Sequence, residues 1–313
     1  MARAGQDPRV TRRGWMLFWA MAFIWGVPYL FIRVAVDELE PALVVFGRTS
    51  LAAVVLLFLA NRSDGLRPAL QHWRPIAAFA ILEMAIPWIL LTTAEQHITS
   101  GLAALIISSV PIFGALAAFA LGDRAALRPI RLVGIGLGIG GVTLLVGNDL
   151  SSDGAPPWWS IAFVIAVCVC YATAPFIITR KLAEAPSLGV IALSLSIVTV
   201  IYLPIAAVSL PSGMPSLAAT GSVLGLALIC TGLAFVVFFR LIDEIGAARS
   251  TVITFVNPVV AVTLGAVFLD EDLSVPILIG FVLVLSGCWL ATRPAPAVAP
   301  AASTEMVGST PAP

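Results

Sequence analysis

Ten apolar segments, each about twenty residues long, constrain the fold of this 313-residue chain more than any other feature. An α-helix rises about 1.5 Å per residue, so about 20 apolar residues cross the hydrocarbon core of a bilayer. The predicted segments are 15–36, 41–60, 75–94, 98–121, 129–147, 157–179, 187–210, 217–239, 246–269 and 273–292. Hydrophobic residues make up 60% of the chain and charged residues 11%, whereas a soluble domain carries about 25% charged residues. The sequence therefore predicts an all-α membrane protein with ten transmembrane helices.

Most of the 17 Arg and Lys residues fall on one side of this predicted bundle. If the chain begins in the cytoplasm and crosses the membrane ten times, fifteen of the 17 lie in cytoplasmic segments, and the other two, Arg33 and Arg48, lie within spans. Cytoplasmic loops carry such an excess of positive charge. The pattern predicts a multi-pass inner-membrane protein with both termini in the cytoplasm. The formal net charge of zero gives no indication of a nucleic-acid partner.

The predicted spans divide the chain into two units with short extramembrane segments. Residues 1–14 form a cytoplasmic N-terminal segment, and the apolar stretch after it is too long for a signal peptide and has no small-residue cleavage site. Residues 15–147 and 157–292 each hold five predicted spans, joined by an external linker at 148–156. The Pro- and Ala-rich end, 293–313, has few bulky apolar residues and is predicted to be a disordered cytoplasmic tail.

An internal repeat with an offset of 147 residues relates the two halves. Pro28 recurs as Pro175, and Pro111 recurs as Pro258. Because each half has five spans, an odd number, the second half must enter the membrane in the opposite sense to the first. The repeat therefore predicts two inverted five-helix halves related by a pseudo-two-fold axis in the membrane plane, which is typical of transporters.

These motifs together resemble the EamA-type proteins of the drug/metabolite transporter superfamily over about residues 15–292. The resemblance is carried by the Trp25–Gly26 pair with Tyr29, by an arginine in the second span, by a proline in the fourth and ninth spans, and by an acid followed by spaced glycines at the end of each half. The sequence departs from the pattern at Asp123, at Ala172–Thr173 and at Leu195, the position that matches Arg48. The resemblance implies a transporter that exports small molecules.

One carboxylate, Glu83, lies inside the third predicted span, where an unpaired charge costs several kcal/mol. Helix arithmetic places it about 12 Å deep from the cytoplasmic side and leaves about 8 Å along the membrane normal between it and Arg48. Two interpretations remain open: a structural ion pair, or a central cavity in which Glu83 binds a cationic group or a proton and Arg48 binds an anionic group. Cys230 occupies the repeat position of Glu83, so the acid is not part of the duplicated framework.

Aromatic and amide side chains near predicted helix breaks are further candidates for a substrate site. Trp25, Tyr29, Trp88 and Tyr171 are expected to line a cavity or to belong to the interfacial aromatic belt. Tyr29 and Trp88 directly follow prolines, which free a backbone carbonyl one turn earlier. Asn257, beside Pro258, is expected either to contribute to the cavity or to pack between helices.

Sequence motifs for metal, cofactor or catalytic chemistry do not support an enzyme. The four cysteines lie in apolar segments without the spacing of a zinc site. The G-x-G-x-x-G of residues 136–141 lies inside an apolar span, where glycines at 134 and 138 and at 136 and 140 match the small-x-x-x-small pattern of close helix packing. No H-E-x-x-H, G-x-S-x-G or Walker motif is present in the sequence, so no cofactor is predicted and energy is expected to come from gradients.

The sequence predicts a secondary active transporter in the lipid bilayer that exports or exchanges small metabolites by alternating access. The candidate substrates are amino acids, bases or amphipathic drugs, and protons are the candidate coupling ion, with Glu83 as the coupling residue. The competing interpretations are a non-transporting membrane sensor or structural protein and, third, an intramembrane enzyme. The sequence indicates no particular oligomeric state.

Overall fold

A computed structural model describes residues 11–120, 122, 129–150 and 155–292, and within these ranges the chain forms helices and no strand. The expected tail 293–313, the acid Asp123 and parts of the N-terminal segment and linker lie outside the described residues. In chain order the α-helices are α1 (Arg12–Gly26), α2 (Pro28–Val36), α3 (Pro41–Arg62), α4 (Leu66–Leu70), α5 (Trp73–Ala80), α6 (Ile86–Ala94), α7 (Ser100–Ile107), α8 (Val110–Ala120), α9 (Pro129–Leu150), α10 (Trp158–Thr173), α11 (Pro175–Lys181), α12 (Ser187–Val208), α13 (Leu217–Ala227), α14 (Ala234–Ile245), α15 (Ala247–Ser250), α16 (Asn257–Phe268) and α17 (Val275–Ala291).

Eight helical stretches of the described chain are long and apolar enough to cross a membrane. They are Arg12–Val36, Pro41–Arg62, Trp73–Ala94, Ser100–Ala120, Pro129–Gly147, Trp158–Lys181, Ser187–Val208 and Leu217–Ile245. The ninth and tenth predicted spans correspond to two shorter apolar helices, Val252–Phe268 and Val275–Ala291. The ninth is interrupted by a 3₁₀ segment, Thr251–Phe255, directly before Asn257 and Pro258. The all-helical class is confirmed, whereas the count of ten spans stays a prediction.

Prolines begin new helices where two of these stretches are interrupted. Pro28 is the first residue of α2, and Pro175 is the first residue of α11. A proline has no N–H group and its φ is fixed near the helical value, so it suits the first turn of a helix and interrupts the hydrogen bonding of the preceding turn. The first and sixth predicted spans are therefore each built from two consecutive helices.

Glycines let α9 and α17 approach at backbone contact distance. A Cβ placed on Gly134 would lie 2.6 Å from the carbonyl oxygen of Gly287, and a Cβ on Gly141 would lie 2.8 Å from the carbonyl oxygen of Gly280. By contrast, a Cβ on Gly136 would meet nothing within 4 Å, as would one on Gly140. The expected packing role is confirmed for Gly134 and Gly138, and it is wrong for Gly136 and Gly140, which lie on the other face of the helix and are exposed.

Contacts between helix ends define two faces of the bundle. At one face, which we call the terminal face, Thr11 caps α1 and its hydroxyl donates to Glu244 at the end of α14. At the opposite or distal face, Glu38 accepts a hydrogen bond from the backbone N–H of Ser216, which is the N-cap residue of α13. The hydrogen bonds of Ser216 hold the pKa of the exposed Glu38 carboxyl below its usual range.

Candidate functional site

Arg48 lies in the middle of α3 and is buried between three other elements. Its Nε donates a hydrogen bond to Oγ1 of Thr231, 2.8 Å away, and Thr231 is fully buried. The guanidinium carbon lies 3.7 Å from the centre of the Trp88 ring, so the charge is stacked on the indole face. A cation over an aromatic ring is stabilised by the ring quadrupole, most strongly where water is excluded. The arginine is thus held by one hydrogen bond and one stacking contact.

Two tyrosines complete the surroundings of Arg48. Tyr171 of α10 packs against two of the buried apolar clusters and is close enough to Arg48 to interact electrostatically. Tyr29 of α2 packs against the larger of these clusters and lies close enough to interact electrostatically with Arg48 and Tyr171. Four predicted site residues, Arg48, Trp88, Tyr29 and Tyr171, therefore share one polar region inside the bundle.

Glu83 lies beside this region and forms no ion pair with Arg48 in the described structure. Its nearest charged or polar neighbours include Tyr171 and Cys170. One carboxylate oxygen, Oε2, is buried and has no hydrogen-bond partner among the described residues. The ion pairs of the described residues join Arg13 to Glu244 and Arg33 to Asp37. Tyr171 is close enough to interact electrostatically with both the acid and the arginine.

Glu83 and Thr231 both lie in π-helical segments. The first segment is Ile81–Ala85 and the second is Leu228–Leu233. Their first residues are 147 residues apart, which is the offset of the internal repeat. A π-helical turn disturbs the regular backbone hydrogen bonding of an α-helix and is frequent at functional sites. In the first segment, the hydroxyl of Tyr202 donates to the carbonyl oxygen of Ala85 over 2.9 Å.

Two predicted site residues lie apart from this polar region. Trp25 packs against the rings of Phe235 and Phe238 in α14, with centroids 6.3 and 4.7 Å away. The amide of Asn257, oriented so that its nitrogen donates, bonds the carbonyl oxygens of Ile253 and Ala22 at 2.9 and 3.1 Å. Asn257 therefore joins α16 to α1, as its packing interpretation expects.

Sequence reasoning missed three residues of the polar interior. Thr231 was not identified because a single hydroxyl in an apolar segment follows no pattern. Glu95 directly follows the third predicted span, where residue type gives no sign that it is fully buried. Glu271 lies between the ninth and tenth predicted spans, and its carboxylate accepts the backbone N–H groups of Ser100 and Gly101, a long-range contact that no sequence pattern indicates. The described residues contain no group of three or more His, Cys, Asp or Glu side chains that could hold a metal ion.

A multi-pass helical protein with an arginine, a carboxylate and aromatic side chains inside its bundle belongs to the class of membrane proteins with a polar interior. Residues 12–147 and 158–293 each match the EamA-like transporter family, and the chain therefore belongs to this family of transporters. The resemblance derived from the sequence motifs is confirmed.

Curated relatives and a solved structure agree with this assignment. The chain is 32% identical over 263 residues to the "Uncharacterized inner membrane transporter YedA" of Escherichia coli (strain K12), covering 82% of each chain. It is 27% identical over 280 residues to the "Probable terminal-alkyne amino-acid exporter" of Streptantibioticus cattleyicolor, covering 88% of this chain and 93% of the relative. A solved crystal structure with 19% identity covers 89% of this chain and 96% of that chain with a TM-score of 0.63, which shows a shared fold.

Proposed function

We propose that the protein is a secondary active carrier that exports or exchanges a small amphipathic metabolite, such as an amino acid, by alternating access. Its distal face is external, and both termini are cytoplasmic. The observation that carries the proposal is the position of Arg48, which is buried in the first family-matched region, bonded to Thr231 of the second and stacked on Trp88. A buried arginine shared by two halves can bind an anionic group at the point where the halves move relative to each other.

Reciprocal contacts between the halves support an inverted-repeat arrangement with ten spans. Gly134 and Gly141 of α9 match Gly280 and Gly287 of α17 in the repeat, and in the structure Gly134 faces Gly287 while Gly141 faces Gly280. Such reciprocal contacts are what a two-fold axis generates. In the repeat, α1 corresponds to α10 and α6 corresponds to α14. The structure packs α1 against α14 and α10 against α6, so each helix contacts the counterpart from the other half. The two shorter apolar helices then count as the ninth and tenth spans.

The chemistry around Arg48 favours a substrate with an anionic group and an apolar or aromatic body. The guanidinium binds a carboxylate through two parallel N–H donors, and only its Nε is bonded within the described residues. Trp88, Tyr171 and Tyr29 offer apolar faces beside it. The printed name of the Streptantibioticus cattleyicolor relative, an amino-acid exporter, supports an amino acid as substrate.

Glu83 supplies the second polar contact in this proposal. Its carboxylate lies near Tyr171 and has a buried oxygen without a partner among the described residues. A zwitterionic substrate would place its carboxylate on Arg48 and its amino group towards Glu83. In the absence of substrate, a proton on Glu83 would neutralise the acid. Competition between the proton and the amino group for Glu83 would couple export to the proton gradient.

Flux measurements on purified protein in proteoliposomes test the proposal. Vesicles loaded with a panel of labelled amino acids should release one or more of them faster with the wild-type protein than with Arg48→Gln. The Arg62→Gln variant is the control, because Arg62 is an exposed arginine at the end of the same helix and lies over the ring of Phe58. Equal release by wild type and Arg48→Gln would reject the site. Binding of an amino acid without any flux would instead indicate a non-transporting sensor.

A further inference from the structure

Glu95 is a buried carboxyl group at the distal face that the proposed substrate site does not use. It follows the last residue of the membrane-spanning stretch Trp73–Ala94. Its exposed fraction is 0%, and neither carboxylate oxygen has a hydrogen-bond partner among the described residues. An ionised carboxylate in such a position costs several kcal/mol unless a partner neutralises it. The geometry therefore requires a neutral acid.

Nearby arginines are engaged elsewhere and make no ion pair with Glu95 in the described structure. Arg33 pairs with Asp37, and Arg48 bonds Thr231. Both arginines are close enough to lower the pKa of Glu95, but burial, the largest cause, raises it, and the neighbouring Glu271 carboxylate raises it further, so that it lies well above its usual range. The acid is thus expected to hold a proton near neutral pH.

Glu271 fixes a negative charge close to Glu95. Its Oε1 accepts the N–H of Ser100 over 2.7 Å, and its Oε2 accepts the N–H of Gly101 over 2.9 Å. These are the first two residues of α7, where the free N–H groups and the helix dipole favour an anion. Gly265 leaves room for the carboxylate, because a Cβ there would lie 2.4 Å from Oε2.

This contact is a latch between the two family-matched regions. Glu271 belongs to the second region and α7 to the first, so the distal ends of the two halves stay together while the carboxylate caps the helix. The ionisable groups that face Glu95 from the surrounding elements are Tyr29 and Arg33 of α2, Arg48 of α3 and Glu271. His97, two residues after Glu95, is exposed, and its ring packs against Trp159. A second negative charge at Glu95 would oppose the latch.

We propose that Glu95 is a proton-binding site, separate from Glu83, and that its protonated form is required for the closed arrangement in which Glu271 caps α7. When the distal side opens to water, Glu95 ionises and releases its proton to the side that has opened. The proton moves from the carboxyl oxygen to water, and no other group changes its bonding. The ligand of the site is a proton, and the inference rests on the alternating access of the proposed function.

Infrared titration of the full-length protein in lipid nanodiscs tests proton binding directly. A protonated carboxylic acid has a C=O stretching band that is absent from a carboxylate. Comparison of wild type with Glu95→Gln should show the loss of one such band at neutral pH. The Glu83→Gln variant is the matched control and should keep the Glu95 band. Identical carboxylic-acid bands in wild type and Glu95→Gln would overturn the proposal.

Cysteine accessibility tests the link between the proton and the latch. Ile98, which is 4% exposed, lies between Glu95 and α7, so an Ile98→Cys reporter should react with an impermeant maleimide only when the distal side opens. The four native cysteines are buried. Their background labelling is measured on the protein without the Ile98→Cys substitution. With Glu95 present, the labelling rate should rise by up to about tenfold per pH unit on the distal side, because one proton is released on opening.

Glu95→Gln should remain at the slow, low-pH labelling rate, because glutamine is a neutral analogue of the protonated acid. Glu40→Gln, an exposed acid on the same face, should label as wild type does. A Glu95→Gln protein that keeps the wild-type pH profile, or that labels rapidly at every pH, would contradict the proposal. If Glu95→Gln does not fold, Glu95→Asp should keep a titrating band at a shifted pH, and an unshifted titration would count against the site. Dependence of labelling on sodium instead of pH would exclude a proton as the ligand.

Discussion

The side chains of Arg48 and Thr231 are joined by a 2.8 Å hydrogen bond although they lie 183 residues apart in the chain. The bond connects the first family-matched region with the second. Arg48 lies in α3 and Thr231 lies in the π-helical segment Leu228–Leu233. Any movement that separates these two elements must break the bond. The pair is therefore the most direct structural link between the candidate substrate site and the contact between the halves.

Thr231→Val is expected to weaken substrate binding more than it weakens the fold. The valine keeps the shape but removes the acceptor for Arg48 Nε, at a cost of about 1 kcal/mol. We expect the apparent affinity for an anionic substrate to fall by about fivefold. The control is Thr263→Val, because among the described residues the hydroxyl of Thr263 donates to the carbonyl oxygen of Val259 in its own helix. Equal affinities for the two variants in a binding titration would contradict the role of Thr231.

Glu83→Gln is expected to remove the pH dependence of efflux. If the carboxylate alternates between a proton and the amino group of the substrate, a neutral amide supports neither step. Efflux should then be slow and nearly constant across the pH range in which the wild-type rate changes. The measurement is release from proteoliposomes at several pH values, with Glu184→Gln, an exposed acid on a loop, as the control. A wild-type rate with wild-type pH dependence would remove Glu83 from the coupling step.

Gly134→Ala and Gly136→Ala form a matched pair that tests the contact between α9 and α17. A Cβ on Gly134 would lie 2.5 Å from the backbone nitrogen of Ala291, whereas a Cβ on Gly136 meets nothing within 4 Å. Overpacking of this kind costs about 1–3 kcal/mol, so the thermal midpoint of the first variant should fall by several degrees. Gly136→Ala should be neutral or slightly stabilising, since alanine favours helix. Similar midpoints for both variants would show that the helices do not pack in this way.

Removal of the Glu271 side chain should destabilise the start of α7. Glu271→Ala leaves the N–H groups of Ser100 and Gly101 without their acceptor, which costs about 1–2 kcal/mol for a helix cap. Asp272→Ala serves as the control because Asp272 is exposed next to it. Hydrogen exchange at Ser100 and Gly101 should accelerate in the first variant alone. Unchanged protection at both amides would refute the cap.

The sequence predicted the helical class, because apolar length is readable from residue type alone, and its motifs indicated the family. It singled out Arg48 and Trp88, which are in contact, but it did not single out Thr231, the hydrogen-bond partner of Arg48. Pro28 and Pro175, which the repeat pairs, both begin helices, because a missing N–H acts locally. The π-helical segments could not be predicted, because they depend on a shift in backbone hydrogen bonding. The burial of Glu95 could not be predicted, because it arises from tertiary packing, which residue type alone does not reveal.

The opposite orientation of the two halves is the claim on which a shared central site depends, and sidedness labelling tests it most directly. An Ala155→Cys variant carrying a C-terminal epitope tag is treated with impermeant reagents on intact cells and on inverted membranes. Five spans in each half predict that residue 155 reacts from outside and that the tag is reached only from the cytoplasmic side. Reaction of both from the same side would contradict the account.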